Sequence, residues 1–307
     1  MKVVFITSVA MIALGISWGL GLSRTLTIRV VDEGNNPLPE IKVNFGFEMS
    51  TATSSPFSTV VKTTNSNGEA TASSEANSVG YDIVVPDYYR STGFFDDPKS
   101  VTTVLKNIEH PKAMYARYVT YDDLTFPNDG QPHSYDLIIG DWLPPLGHGI
   151  TPDFTFQVTG YQRSGNDKDQ NLSLTFSNPD DGIQAITVIE TGSALRLPKQ
   201  APIDGYKRQW DWQTIIDPNE SSADYVLPVK ANRAYFFRVR SKRDEKGNLT
   251  ALYGKISHDL NFGVGYTNKM MVQIASYYLN PDGTRLMEFD LNKNLATGES
   301  AERVREP

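Results

Sequence analysis

Four histidines and no cysteine narrow the chemistry open to this 307-residue chain. His133, Asp136, Asp141, His148 and Asp153 bring two imidazoles and three carboxylates within 21 residues, the ligand types that hold zinc or a related ion. Their spacing matches no established ligand pattern. Gly140, Pro144, Pro145, Gly147 and Gly149 lie among them, so a solvated loop is preferred to a metal site. A nucleophilic serine on a sharp turn calls for Gly-x-Ser-x-Gly, and Gly192-Ser193 lacks the second glycine. Gly263-Val264-Gly265 lacks the third glycine and the following helix of a dinucleotide fingerprint. Glycosidases need two carboxylates about 5 to 10 Å apart, and among 36 acidic residues no pair is favoured. No catalytic residue, metal ligand or cofactor is therefore expected, and the chain is read as non-enzymatic.

Binding chemistry has better candidates. Asn178 to Gly182 (NPDDG) and Gly165 to Asn171 (GNDKDQN) cluster oxygens as a calcium site would, although Asn, Asp and Gly are also ordinary turn formers, which is the preferred reading. Trp210-Asp211-Trp212, preceded by Tyr206, Lys207 and Arg208, sets two indoles at i and i+2, hence on one face of a strand. Flanked by charged donors, such a pair can stack on a sugar or an aromatic peptide group. The preferred reading is that both indoles fill a core, the usual fate of tryptophan in β-sandwiches. Trp142, in GDWLPPLGHG, poses the same choice. Tyr206, Trp210, Trp212 and Trp142 are the candidate ligand-binding residues.

Compartment follows from the first residues. Lys2 precedes an uncharged run, Val3 to Leu22, that ends in the small-residue pattern Gly21-Leu22-Ser23. This reads as a signal peptide, residues 1–23, with cleavage near Ser23-Arg24. The run is also long enough for a membrane anchor, but Gly15, Gly19 and Gly21 weaken its end and no basic cluster follows. Removing Lys2 from the 29 Lys plus Arg, set against 36 Asp plus Glu, takes the formal net charge from -7 to -8. That balance argues against nucleic acid as a partner, and a membrane is a partner only if residues 3–22 are retained. Absence of cysteine excludes disulfides and a lipidated anchor, and favours the bacterial periplasm or cell surface.

The elements that must position these residues read as strands. LTIRVVD and IKVNFGF alternate apolar and polar positions about a turn-rich Glu33 to Pro37, and VVKTT and EATAS flank an Asn67-Gly68 turn suited to a hairpin. GYDIVVP follows. VVDEGNNPLPEIKVNF, TTNSNGEAT and GYDIVV together resemble the carboxypeptidase regulatory-like, transthyretin-like β-sandwich module over about residues 24–108. The glycine that this family places before Pro37 is Asn36 here, and Pro39-Glu40 replaces a Gly-containing pair. The resemblance implies a non-catalytic module that binds, spaces or braces other domains.

Residues 110–119 are expected to be a linker. Residues 120–292 hold nine strand-like segments, with hairpin signals at Asp244 to Asn248 and Asn280 to Gly283, and predict a second β-sandwich or jelly roll. Residues 293–307 lack an apolar face and are expected to be a flexible tail. The expectation is an all-β chain of two tandem β-sandwich domains, 24–109 and 120–292, after the signal segment. Its partners would be protein or carbohydrate at a bacterial surface.

Overall fold

A computed structural model describes residues 22–49, 56–97, 100–120, 123–222, 225–227, 229–264 and 269–307. The segment read as an export signal lies outside these residues except for Leu22 and Ser23, which open the first strand. Among the described residues no helix is long and apolar enough to cross a membrane.

The chain is all-β and forms two compact units. Residues up to Val30, Pro37–Ile83 and Thr92–Thr102 make the first; Val31–Asn36, Val84–Ser91 and Thr103–Pro307 make the second. In the first unit, β1 (Leu22–Val31), β4 (Glu69–Ala76) and β7 (Ser100–Val104) form a sheet of order β4-β1-β7. Strands β2 (Lys42–Glu48), β3 (Phe57–Thr63), β5 (Ser78–Ile83) and β6 (Ser91–Phe95) form another of order β3-β2-β5-β6. Period-two burial supplies the core: Leu26, Ile28 and Val30 on β1 and Val43, Phe45 and Phe47 on β2 are all buried.

Neither turn expected to close a hairpin does so. Strand β1 pairs with β4, and β2 pairs with β3 and β5, so the turns after β1 and after β3 carry the chain from one sheet to the other. Each strand has a single apolar face, and facing sheets bury both faces at once. The Asn67-Gly68 turn itself forms: Asn65 Oδ1 accepts from the N–H groups of Asn67 and Glu69. Gly68 has φ of 75°, and a Cβ there would lie 2.4 Å from the Val30 carbonyl oxygen.

The second unit contains β8 (Lys112–Val119), β9 (Thr125–Pro127), β10 (His133–Asp136), β11 (Asp141–Trp142), β12 (Phe154–Ser164), β13 (Asp167–Thr175) and β14 (Gly182–Thr187). Strands β15 (Gln209–Ile216), β16 (Arg233–Arg243), β17 (Leu249–Ile256), β18 (Asn261–Val264), β19 (Lys269–Gln273), β20 (Ala275–Asn280) and β21 (Phe289–Asn294) follow, then a short helix α1 (Glu299–Glu302). The sheets run β11-β10-β12-β13-β15, β14-β16-β17-β20-β8-β21 and β18-β19-β9. One apolar cluster joins all three, with Phe154, Phe156 and Trp212 from the first, Tyr235, Phe237 and Tyr277 from the second, and Phe262, Met270 and Phe126 from the third.

Three sequence expectations change here. The Asp244 turn closes the β16–β17 hairpin, but the Asn280 turn does not pair β20 with β21, because β8 lies between them. Residues 112–119, expected within a linker, are that strand. The tail is not loose: Ala296, Ala301 and Val304 are buried, and the Asn294 side chain bonds both main-chain groups of Ala116. Its anchorage rests on small apolar residues and side-chain to main-chain bonds, which leave no periodic apolar face in the sequence.

Candidate functional site

The histidine and aspartate cluster disperses. His133 Nε2 lies 3.0 Å from Asp129, and His148 Nδ1 lies 3.3 Å from Asp141. Asp136 and Asp153 instead share the Arg240 guanidinium at 2.9 and 2.7 Å. Burial alone would raise Asp136, but the N–H groups of Ile139, Thr151 and Ile150 and then Arg240 hold it below the usual carboxylate range, whereas burial pushes Asp153 up. Arg240 has φ of 56° at an irregularity in β16, and Asp181 accepts its N–H and that of Ser241. These acids lock the 136–153 loop to β16. Among the described residues no three His, Cys, Asp or Glu side chains are grouped as metal ligands. The Asp-rich turns are committed likewise, Asp180 to Arg243 at 2.6 Å and Asp167 to Arg163 at 3.4 Å.

Trp210 and Trp212 do share a face of β15, and that face is the inner one. Trp212 is 1% exposed, and its Nε1 donates to the Tyr235 hydroxyl and to Asp259, each at 2.9 Å. Asp259 also accepts from the Lys230 N–H and from Arg233 Nε, both at 2.7 Å, so its charge is matched. Trp210 packs edge-on against Tyr235 and is half-buried, with Lys207 Nζ 5.5 Å from its ring centre. Trp142 is buried against Phe126, Tyr135 and Phe156. The half-buried Tyr206 donates its hydroxyl to the Pro202 carbonyl at 2.9 Å and lies beneath Arg238. Trp212 and Trp142 are therefore core residues, and a flat two-indole platform does not form. Strand alternation puts two residues on one side; which side faces the core depends on the sheet that covers it.

What the sequence reading passed over is a cleft of about 440 Å³ in the second unit. One wall is built by residues 88–90 and 108: the Tyr89 N–H donates to Lys106 O at 2.9 Å and the Ile108 N–H to Asp87 O at 2.8 Å. The Ala194 N–H donates to Arg90 O at 2.8 Å and brings a further loop alongside. Opposite stand β21 and the C-terminal segment. Tyr88, Tyr89, Phe289 and Leu291 give the lining its apolar character, and Arg90, Arg305 and Asp290 its charge.

Behind the cleft the polar groups are committed. Glu288 is fully buried and accepts from the Tyr89 hydroxyl at 3.1 Å and from the N–H groups of Glu109 and His110 at 3.0 Å. Burial and then the Glu288 charge push the Tyr89 hydroxyl well above its ordinary value. Lys255, also buried, donates from Nζ to Pro307 O at 3.0 Å and sits 4.7 Å above the Tyr278 ring. Burial pushes its ammonium down to about 7. The signals for this site were Tyr88-Tyr89-Arg90 in a stretch without strand periodicity and a tail set aside for lacking an apolar face.

No family model matches the chain, and no curated protein matches it. Similar solved structures include a DUF3823 family protein from Parabacteroides merdae, 9% identical with a TM-score of 0.21, over 83% of this chain and 96% of that one. A streptococcal ancillary pilin is 10% identical with a TM-score of 0.21, over 75% of this chain and 58% of the pilin. A candidate carbohydrate-binding protein from Bacteroides uniformis is 11% identical with a TM-score of 0.20, over 84% and 96%. Likenesses this weak carry no argument about fold or function.

Proposed function

We propose that this chain is an exported, non-enzymatic bacterial protein that acts by binding, and that its ligand occupies the cleft beside Tyr88 and Phe289. One observation carries the reading. The cleft has the volume and the apolar, aromatic lining of a ligand site, while the acid behind it, Glu288, spends its oxygens on three donors and has none aimed at a reactant. Export rests on residues 1–23, and the first unit is read as a regulatory-like module that braces or spaces. Ala194→Trp would fill the cleft. On arrays of bacterial surface polysaccharides and peptides, binding that Ala194→Trp abolishes without lowering the melting temperature supports the proposal; binding untouched by that substitution contradicts it.

Stacking of a sugar on Trp210 is the second reading, favoured by its half-open indole beneath Lys207. It predicts a tryptophan fluorescence change on titration with polysaccharide that Trp210→Ala removes.

A further inference from the structure

Among the described residues, strand β3 is the edge of its sheet and is exposed except at half-buried Val60. Its register against β2, Glu48 with Phe57, Gly46 with Thr59 and Asn44 with Val61, sets Phe57, Thr59 and Val61 on the face away from the buried Phe45 and Phe47. Phe57 is 63% exposed and Val61 57%, high for large apolar side chains. The Phe57 ring is not loose, for it lies over Gly46, where a Cβ would fall 2.3 Å from its Cζ. Between Phe57 and Thr63 there is no proline, glycine, acid or register shift, and one cation, Lys62. Edges are ordinarily blunted by just those features, because an open row of N–H and C=O groups templates another strand.

We propose that β3 pairs antiparallel with β3 of a second copy of this chain about a two-fold axis at Thr59. The register selects that occupant. With the axis at Thr59, Phe57 stands directly opposite Val61 of the second copy and Val61 opposite its Phe57, so the two exposed apolar residues cover each other twice by symmetry. The main-chain groups suit that axis: Pro56 O accepts from the Met49 N–H, so positions 56, 58, 60 and 62 turn to β2 and 57, 59 and 61 turn outward to a second strand. Lys62 meets Pro56 of the other copy, so no like charges face each other. An axis at Val60 would set Phe57 opposite Thr63 and leave both apolar residues without an apolar partner directly across the ladder.

The chain has no cysteine, so a single introduced one reports the axis without ambiguity. Residues directly opposed across an antiparallel ladder have Cα atoms about 4.5 to 5.5 Å apart, within disulfide reach. Sedimentation of the exported chain should show a reversible dimer. Thr59→Cys should form a covalent dimer under mild oxidation roughly tenfold faster than Asn166→Cys, an exposed control on the second unit. Val61→Lys should weaken the dimer roughly tenfold or more, and the double variant Phe57→Lys with Val61→Glu, which sets lysine opposite glutamate, should restore it. A monomer at every concentration, a dimer indifferent to Val61→Lys, or equal oxidation rates for the two cysteine variants would overturn the proposal. An extended peptide of another protein captured on β3 by a monomeric chain would do so too.

Discussion

Trp212, Tyr235, Asp259 and Arg233 show how a binding signature in sequence becomes structure. The indole donates to both a hydroxyl and a carboxylate, and the guanidinium settles the charge. Trp212→Phe removes that donor and much of the packed ring. It should cost about 3 kcal/mol in chemical denaturation, with array binding kept. Lys255 gives a pH test with a defined sign. Its folded value near 7 lies below the ordinary 10.5, so between those limits the unfolded chain binds more protons and stability rises with pH. The charging penalty is fully in place below pH 7. Lys255→Met should therefore be more stable than the wild type at pH 6, by a few kcal/mol in order of magnitude, and the gap should shrink by pH 9. A gap that stays constant in denaturant melts at the two pH values would contradict this assignment. A core role for Trp212 was the reading its sequence favoured, but the partners were not legible: the i, i+2 spacing located a face, while Asp259 is 47 residues from Trp212 and Pro307 is 52 from Lys255.

At the level of elements, the strands were legible and their partners were not. Period-two patterning in LTIRVVD and IKVNFGF marked β1 and β2, and the Asn67-Gly68 and Asp244 to Asn248 turns stand where their residues put them. Pairing is decided by which apolar faces meet, a non-local matter, so two expected hairpins became crossings between sheets and β8 entered between β20 and β21. Gly68 is held by such a crossing. Gly68→Ala adds a Cβ against the Val30 carbonyl at positive φ and should cost about 2 kcal/mol, read as a lowered melting temperature. β8 and the segment after β21 were misread for a related reason: short, mixed sequences gain their order from the sheet beside them. The cleft, framed by Tyr88 to Arg90, β21 and the end of the tail, was hidden with that tail.

For the whole molecule, the proposed export rests on residues 1–23 and the proposed binding role on the cleft beside Tyr88 and Phe289. If the signal peptide is cleaved as proposed, the mature chain begins at Arg24, and mass spectrometry of protein from the exporting host should find that N-terminus in place of an intact Met1 peptide. Function itself rests on the cleft. The most direct test is hydrogen exchange of the wild-type chain with and without the array compound it binds most tightly. Slowed exchange at residues 88–90, 289–292 and 305–307, lost in Ala194→Trp, is the predicted result. Protection confined to residues 206–212, or to neither region, would contradict a cleft-binding function.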